Sequence, residues 1–511
     1  MSVQTDRVFF LESIYNEISG LVCKTSPETV KMYKLANPVY PNTQKELAIM
    51  KFQMEKLGCL HKAEIELGDL TIICGYNNTG KTYVNYAIYG FLKFWINKTI
   101  FKIPKENMEK LIQYGIVTFD LKIFEKEIPN ILNNLSREYT KFIPSVFSAD
   151  ESHFSDTSFL FSIQNVKPIY DVEFNSQFFF GTKENLVLKA VKSKNSHLLE
   201  ISIVTQDKNF LISHADKVME FINYSTGMIL IGNYFPRPFI ITSERNGISL
   251  FHKELDITKN VLVETLQEQG KRKNKTEIGD IFGMINTVVS RYARPIKDNI
   301  DFVRDIAEHS KKKSMLIQKH PELKKELNRM SGGDYKAEGS QILFSFKNKR
   351  ITKKIPVHLA SSGIKSQLDL NFYIRHIARE GDLLMIDEPE LNLHPANQRR
   401  MARFFARLIK AGIRVFITTH SDYIIKELNN LVILGNEFED KEKIMKQYGY
   451  TEEDIIDKNM LKVYIAEDNT LKKAHVDDFG IEIGSFDHEI NEMNQMFDKM
   501  TVNMESAYGS N

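Results

Sequence analysis

The sequence predicts an α/β fold, and three stretches far apart in the chain carry that prediction. Leu70-Thr71-Ile72-Ile73-Cys74 is an apolar run of strand length. Gly75 to Thr82 follow it, rich in glycine and asparagine, and Tyr83 to Leu92 then read as a helix. Leu383-Leu384-Met385-Ile386 is a second such run, ended by Asp387 and Glu388. Ile413 to Thr419 is a third, ended by His420. Short apolar runs bounded by turn residues and interleaved with helical periodicity are the pattern of strands buried between helices.

The remaining elements follow in chain order. Residues 1–47 read as a helical N-terminal extension, with Leu11, Ile14, Tyr15, Ile18 and Val22 at helical spacing, then a loop at Pro38, Pro41 and Asn42. Residues 48–100 hold strands from Ile49 to Met54, Ala63 to Leu67 and Leu70 to Cys74, with Gly68-Asp69 turning between the last two. Residues 101–254 form an insertion and a β-rich lobe. Alternation at 168–174, 177–180, 186–191, 198–204 and 210–213 predicts an antiparallel sheet there, and a helix follows from Ala215 to Met228. The lobe ends on an apolar strand running into Thr242-Ser243-Glu244-Arg245. Residues 255–335 are a helical, Lys-rich insertion. Residues 336–438 return to α/β, with a long helix from Ile364 to Arg379. Residues 439–511 are a small helical C-terminal region.

Composition bounds the function classes. The chain has 511 residues, 42% hydrophobic and 26% charged, as a soluble multidomain protein does. Lys and Arg number 68 against 66 Asp and Glu, a net charge of +2. Bulk charge therefore gives no argument for nucleic acid, and such a surface has to be a local patch. Lys271-Arg272-Lys273-Asn274-Lys275 and Lys311-Lys312-Lys313 read either as solvated helix faces or as contacts to a phosphate backbone or an acidic partner. Of three cysteines, Cys59 and Cys74 lie in apolar strand-like contexts that suit buried reduced thiols, and Cys23 adds no metal-like spacing. No signal peptide and no membrane span is expected, which places the chain in the cytoplasm.

The first stretch carries chemistry. Gly75-Tyr76-Asn77-Asn78-Thr79-Gly80-Lys81-Thr82 sits between a strand and a helix, the context of a phosphate-binding P-loop. Glycines let consecutive N–H groups turn inward toward phosphate oxygens, and the helix start adds partial positive charge. Gly75, Asn77, Asn78, Thr79, Gly80, Lys81, Thr82 and Tyr83 are the nucleotide-binding candidates. Lys81 reaches the β/γ-phosphates and the Thr82 hydroxyl ligates Mg²⁺. At the second strand end, Asp387 is placed to support Mg²⁺ and Glu388 to polarise an attacking water as general base, although an Asp-Glu pair is also a common solvated strand end. His420 reads as a γ-phosphate contact or as a strand-end histidine packed on a neighbour. Ser361, Ser362 and Gly363 open a helix with hydroxyls and free N–H groups, which is an anion site or ordinary cap chemistry.

The order of these pieces resembles the ATP-binding-cassette (ABC) ATPase set: Walker A loop, a long insertion, signature Ser361 to Gly363, Walker B Asp387-Glu388, D-loop Asn392 and His394, and H-loop His420. The match covers mainly 48–100 and 340–435. Within that superfamily Asn77-Asn78, Asp387-Glu388-Pro389-Glu390-Leu391-Asn392-Leu393-His394-Pro395, Thr419-His420-Ser421 and Ile241-Thr242-Ser243-Glu244-Arg245 resemble the SMC-like and overcoming-lysogenization-defect (OLD) branch. That branch includes DNA-repair ATPases and ATPase subunits of bacterial anti-phage systems such as Gabija, Septu, PARIS and retron-associated proteins. The signature keeps only one glycine, a departure from Leu-Ser-Gly-Gly.

The resemblance implies an ABC-type head binding ATP and Mg²⁺ and acting as a homodimer or higher oligomer. In it Ser361, Ser362 and Gly363 close the partner's site in trans. It implies a sensor or regulatory ATPase in anti-phage defence, working with a separate effector, a nuclease or toxin. About 75 residues follow Leu434, short for a TOPRIM nuclease domain. Val463 to Asp468 and Asp477-Asp478 bear only a superficial likeness to its acids, so no intrinsic nuclease is expected. The alternatives are a DNA-repair or chromosome ATPase that binds DNA directly and, less in keeping with the signature and the insertion, a transporter energy subunit.

Overall fold

A computed structural model describes residues 49–97, 103–166, 170–180, 185–205, 214–251, 292–339, 341–348, 351–482 and 484–508, together with 101 and 168. The expected N-terminal helix, the 210–213 strand, Cys23 and the Lys271–Lys275 run lie outside these residues. The chain divides into two compact units, one of Phe94–Leu135 and Ile163–Phe235, the other of Ile49–Lys93, Ser136–Ser162 and Pro236–Asn511.

The larger unit is organised by a nine-stranded sheet. Its order is Ser158–Gln164, Ile49–Leu57, Leu60–Glu66, Thr470–Lys473, Leu461–Glu467, Leu70–Gly75, Arg414–Thr419, Leu383–Asp387, Pro238–Ile241. The last five are parallel to one another. Leu70–Gly75 and Leu383–Asp387 are buried at every position, as central parallel strands between helical layers must be. Register aligns the strand ends: Cys74 lies opposite Thr419, and Asp387 opposite Thr418. One strand therefore separates the P-loop strand from the Asp387 strand, and all three deliver their carboxyl ends to one edge, where α/β folds bind ligands.

Four local features differ from the sequence reading. Ile49–Leu57 and Leu60–Glu66 form a tight hairpin turning at Gly58-Cys59, which puts Cys59 on the surface and not in the core. Cys74 is buried as expected, and burial pushes its thiol up to about 12. The C-terminal region has its helices, Lys441–Tyr448 and Gly484–Tyr508. Between them, however, Leu461–Glu467 enters the sheet directly beside the P-loop strand.

The helix expected from Ile364 to Arg379 is two helices, Ser362–Ser366 and Leu368–His376, broken at Gln367. The second is buried along most of its length and seated by Arg375, which bonds Asp334, the Tyr335 carbonyl and Asn371. A small sheet of Asp334–Glu338, Gln341–Asn348 and Ile351–Pro356 precedes this pair.

The smaller unit holds the antiparallel sheet, in the order Ile116–Asp120, Leu198–Ile203, Asn185–Lys192, Phe174–Phe180. The segment expected as a strand at 168–174 is largely loop. Phe174–Phe180 is one continuous strand instead, because its alternation runs through Asn175. Helix Ala215–Gly227 packs on this sheet through Phe221, whose ring lies 5.8 Å from that of Phe178.

Candidate functional site

The Gly75–Thr82 loop is built around its glycines. Gly75 has φ +141° and Gly80 φ +89°, values that glycine adopts without strain. A β-carbon at Gly75 would stand 2.4 Å from the Ala466 carbonyl oxygen, and one at Gly80 would meet Leu60 and Cys59. The loop is thus pressed between the neighbouring strand and the hairpin. Asn78 is left-handed at φ +62° and exposed, as is Asn77. Thr79 ties the turn by donating to the Tyr76 carbonyl at 2.7 Å. Tyr83 is committed to packing: its ring stacks on Phe147 at 5.2 Å and covers Gly58.

Lys81 opens helix Lys81–Phe94 and folds back into the loop, donating to the carbonyl oxygens of Gly75 at 2.9 Å and Tyr76 at 2.6 Å. Burial lowers its ammonium pKa, and Glu388, Asp387 and Glu390 oppose that shift. These carboxylates gather at the neighbouring strand ends. Thr82 donates to Asp387 Oδ2 at 3.0 Å, and Thr418 donates to the other oxygen. Burial pushes the Asp387 carboxyl up to about 6, while the two threonine hydroxyls pull it down.

Glu388 has φ +50°, a left-handed conformation that costs a residue with a β-carbon about 1–2 kcal/mol. Its N–H donates to the Thr418 carbonyl at 3.0 Å and to the Thr418 hydroxyl at 3.2 Å. Its side chain stays partly exposed and lies 3.7 Å from His420 Nδ1. Glu390 is buried. One of its oxygens accepts from the Thr419 hydroxyl at 2.9 Å and from the His420 N–H at 2.8 Å, with His420 Nδ1 at 3.3 Å. The structure therefore brings Lys81, Thr82, Asp387, Glu388 and His420 to one edge and adds Glu390, which seats His420. A third acid within a four-residue buried turn was the signal for it.

Ser361, Ser362 and Gly363 lie apart from this network. Ser361 and Ser362 are exposed, and Ser361 makes no side-chain cap bond. Gly363 sits against the D-loop, where a β-carbon would approach the Asn392 carbonyl oxygen at 2.9 Å. Asn392 is left-handed at φ +62° and exposed. His394 caps helix Pro395–Lys410, its Nδ1 accepting from the Ala396 N–H at 3.2 Å. The acids noted near the C-terminus are surface groups: Asp468 pairs with Lys472 at 3.3 Å and Asp478 with Lys458 at 2.6 Å.

A glycine-lined cradle, a lysine at its mouth and a hydroxyl–carboxylate pair beyond it fit a nucleoside triphosphate with a divalent cation. The family model for the AAA ATPase domain (AAA_15) matches residues 48–425, a span that includes all of these groups. The chain belongs to the AAA ATPase domain family.

Strand Leu461–Glu467 of this AAA ATPase domain's central sheet lies beyond the matched span. Among curated proteins, the chain is 24% identical over 243 residues to Uncharacterized protein R472 of Acanthamoeba polyphaga mimivirus. The match covers 46% of this chain and only 12% of that much longer protein. Among solved structures, it is similar to an Smc head domain with an extended coiled coil bound to the C-terminal domain of ScpA, from Pyrococcus furiosus. Identity is 12% and the TM-score 0.28, over 88% of this chain and 99% of that one. An SmcHead bound to the C-winged helix domain of ScpA matches at the same identity and TM-score, over 74% and 91%. Superpositions at that score are loose, and the fold assignment stands on the strand order itself. Among the described residues, no helix is long and apolar enough to cross a membrane.

Proposed function

We propose that the protein hydrolyses ATP in an ABC-type composite site and uses the cycle as a dimerisation switch. Thr82, Asp387, Glu388 and His420 at one sheet edge, with Ser361 and Ser362 exposed elsewhere, support this reading. The backbone N–H groups from Asn77 to Thr82 and the Lys81 ammonium hold the phosphates; Lys81 exchanges loop carbonyls for phosphate oxygens. Thr82 and Asp387 would hold Mg²⁺, which when bound neutralises phosphate charge. Glu388 accepts the proton of the attacking water, and His420, steadied by Glu390, contacts the γ-phosphate end. Ser361, Ser362 and Gly363 of a second copy supply donors to the far side of the nucleotide. ATP then favours the closed homodimer and hydrolysis releases it.

The biological reading is a cytoplasmic regulatory ATPase of bacterial anti-phage defence, of the OLD-like or SMC-like kind, whose effector is a separate nuclease or toxin. Met493, Phe497, Met500 and Met504 support a protein partner. They follow heptad spacing on helix Gly484–Tyr508 and are each more than half exposed. The second reading, a DNA-repair or chromosome ATPase, is favoured by the exposed Lys311–Lys313 turn, although Lys311 is paired with Glu308. Sedimentation of Glu388→Gln with and without ATP tests the switch: ATP-dependent dimers support it, and monomers throughout refute it. Salt-dependent binding to duplex DNA that is lost on neutralising Lys311–Lys313 would favour the second reading.

A further inference from the structure

Glu388 holds a backbone conformation that persists only where the surroundings impose it. Thr418 grips one side of the peptide, accepting from the Glu388 N–H. The other side is gripped by Arg245, a residue from a distant part of the chain. Its Nη1 donates to the Asp387 carbonyl at 2.8 Å and to the Thr242 carbonyl at 3.1 Å, and its Nη2 donates to the Glu388 carbonyl at 2.5 Å. A planar guanidinium can span two consecutive carbonyl oxygens, whereas a lysine ammonium offers a single point.

Arg245 is 2% exposed, and these hydrogen bonds of its side chain all go to backbone oxygen. Burial disfavours its charge, and the surrounding carboxyl groups, Asp369 foremost, oppose that shift. Asp369 is 1% exposed on helix Leu368–His376, and neither of its carboxylate oxygens has a hydrogen-bond partner among the described residues. A buried arginine spent on main-chain oxygens is a poor device for stability alone. It does fix the turn that carries the base.

We propose that Arg245 is a positioning residue for ATP hydrolysis, clamping the Asp387–Glu388 main chain so that the Glu388 carboxylate is presented to the site. The proposal rests on Glu388 being the base.

The test is single-turnover ATP hydrolysis by Arg245→Lys and Arg245→Gln, each alone and combined with Glu388→Gln. Arg245→Lys is expected to lose about 10- to 100-fold in rate with nucleotide affinity changed by less than about threefold. On the Glu388→Gln background it should lose nothing further. The same proportional loss on both backgrounds, or a loss confined to nucleotide affinity, overturns the proposal. Arg245→Gln, neutral and unable to span two carbonyl oxygens, keeps the test open if the lysine variant fails to fold. A loss in rate that is absent when Glu388 is already Gln supports the clamp, and a wild-type rate refutes it. Glu388→Gln alone reads the base assignment: wild-type turnover there refutes that assignment, whatever the arginine variants do.

Discussion

The Lys81–His420 edge and the Ser361–Gly363 helix start are built in opposite ways. At the first, side chains are engaged with one another and with the loop: Lys81 with two carbonyls, Thr82 and Thr418 with Asp387, Thr419 and the His420 N–H with Glu390. At the second, Ser361 and Ser362 stand in solvent, and only Gly363 is packed, against Asn392. On the proposed function the first region binds and polarises the triphosphate, and the second gains its purpose when an ATP held by another copy is brought to it.

Variants that separate the regions rank by size of effect. Glu388→Gln should lower turnover about 10³-fold while leaving ATP bound, measured as phosphate release against nucleotide titration. A wild-type rate would remove Glu388 from the mechanism. Lys81→Ala should weaken ATP binding about 100-fold by calorimetry, since a charge-assisted contact to phosphate is lost. Undiminished affinity would break the loop assignment. Gly75→Ala tests the cradle as structure: a methyl 2.4 Å from the Ala466 oxygen at φ +141° should destabilise the fold by about 1–3 kcal/mol, read from the thermal midpoint.

The smallest effect concerns Asp369, buried on the helix that follows the Ser361–Gly363 start. Burial pushes the Asp369 carboxyl up to about 7, from an ordinary value near 4, with Arg245 pulling it down. The folded state therefore binds its proton more tightly, and this contribution to stability is lost as pH rises from about 4 through 7. Asp369→Asn should be more stable relative to wild type at pH 8 than at pH 5, by about 1 kcal/mol or more. An unchanged difference between the two pH values would mean that Asp369 does not titrate in this window.

The Lys81–His420 edge is legible because its residues are local punctuation: a glycine-rich loop after a strand, acids and a histidine where apolar runs stop. Asp387, Glu388 and His420 needed only the rule that buried parallel strands end together. What sequence could not disclose depends on distant pairings. Leu461–Glu467 looks like part of a tail until it pairs with Leu70–Gly75, because parallel neighbours leave no local signal. Cys59 reads as buried because Leu57 and Leu60 flank it in the sequence, whereas the hairpin pairs those two with each other and leaves the turn between them outside. Arg245 closes the Ile241–Arg245 motif with no role assigned to it until the fold brings it to the Asp387 and Glu388 carbonyls. Asp369 reads as one polar position on a helix until that helix is buried on every side.

The composite site is tested most directly by mixing two inactive chains. Lys81→Ala retains its Ser361–Gly363 start, and Ser362→Arg retains its loop and Glu388. Each should be inactive alone, and the Ser362→Arg chain should still bind ATP. If the sites are shared across a dimer, a 1:1 mixture forms heterodimers with one intact site, and ATPase activity should return to about a quarter of wild type. If each chain closes its own site, every site in the mixture carries a lesion, and activity that stays at background would contradict the account.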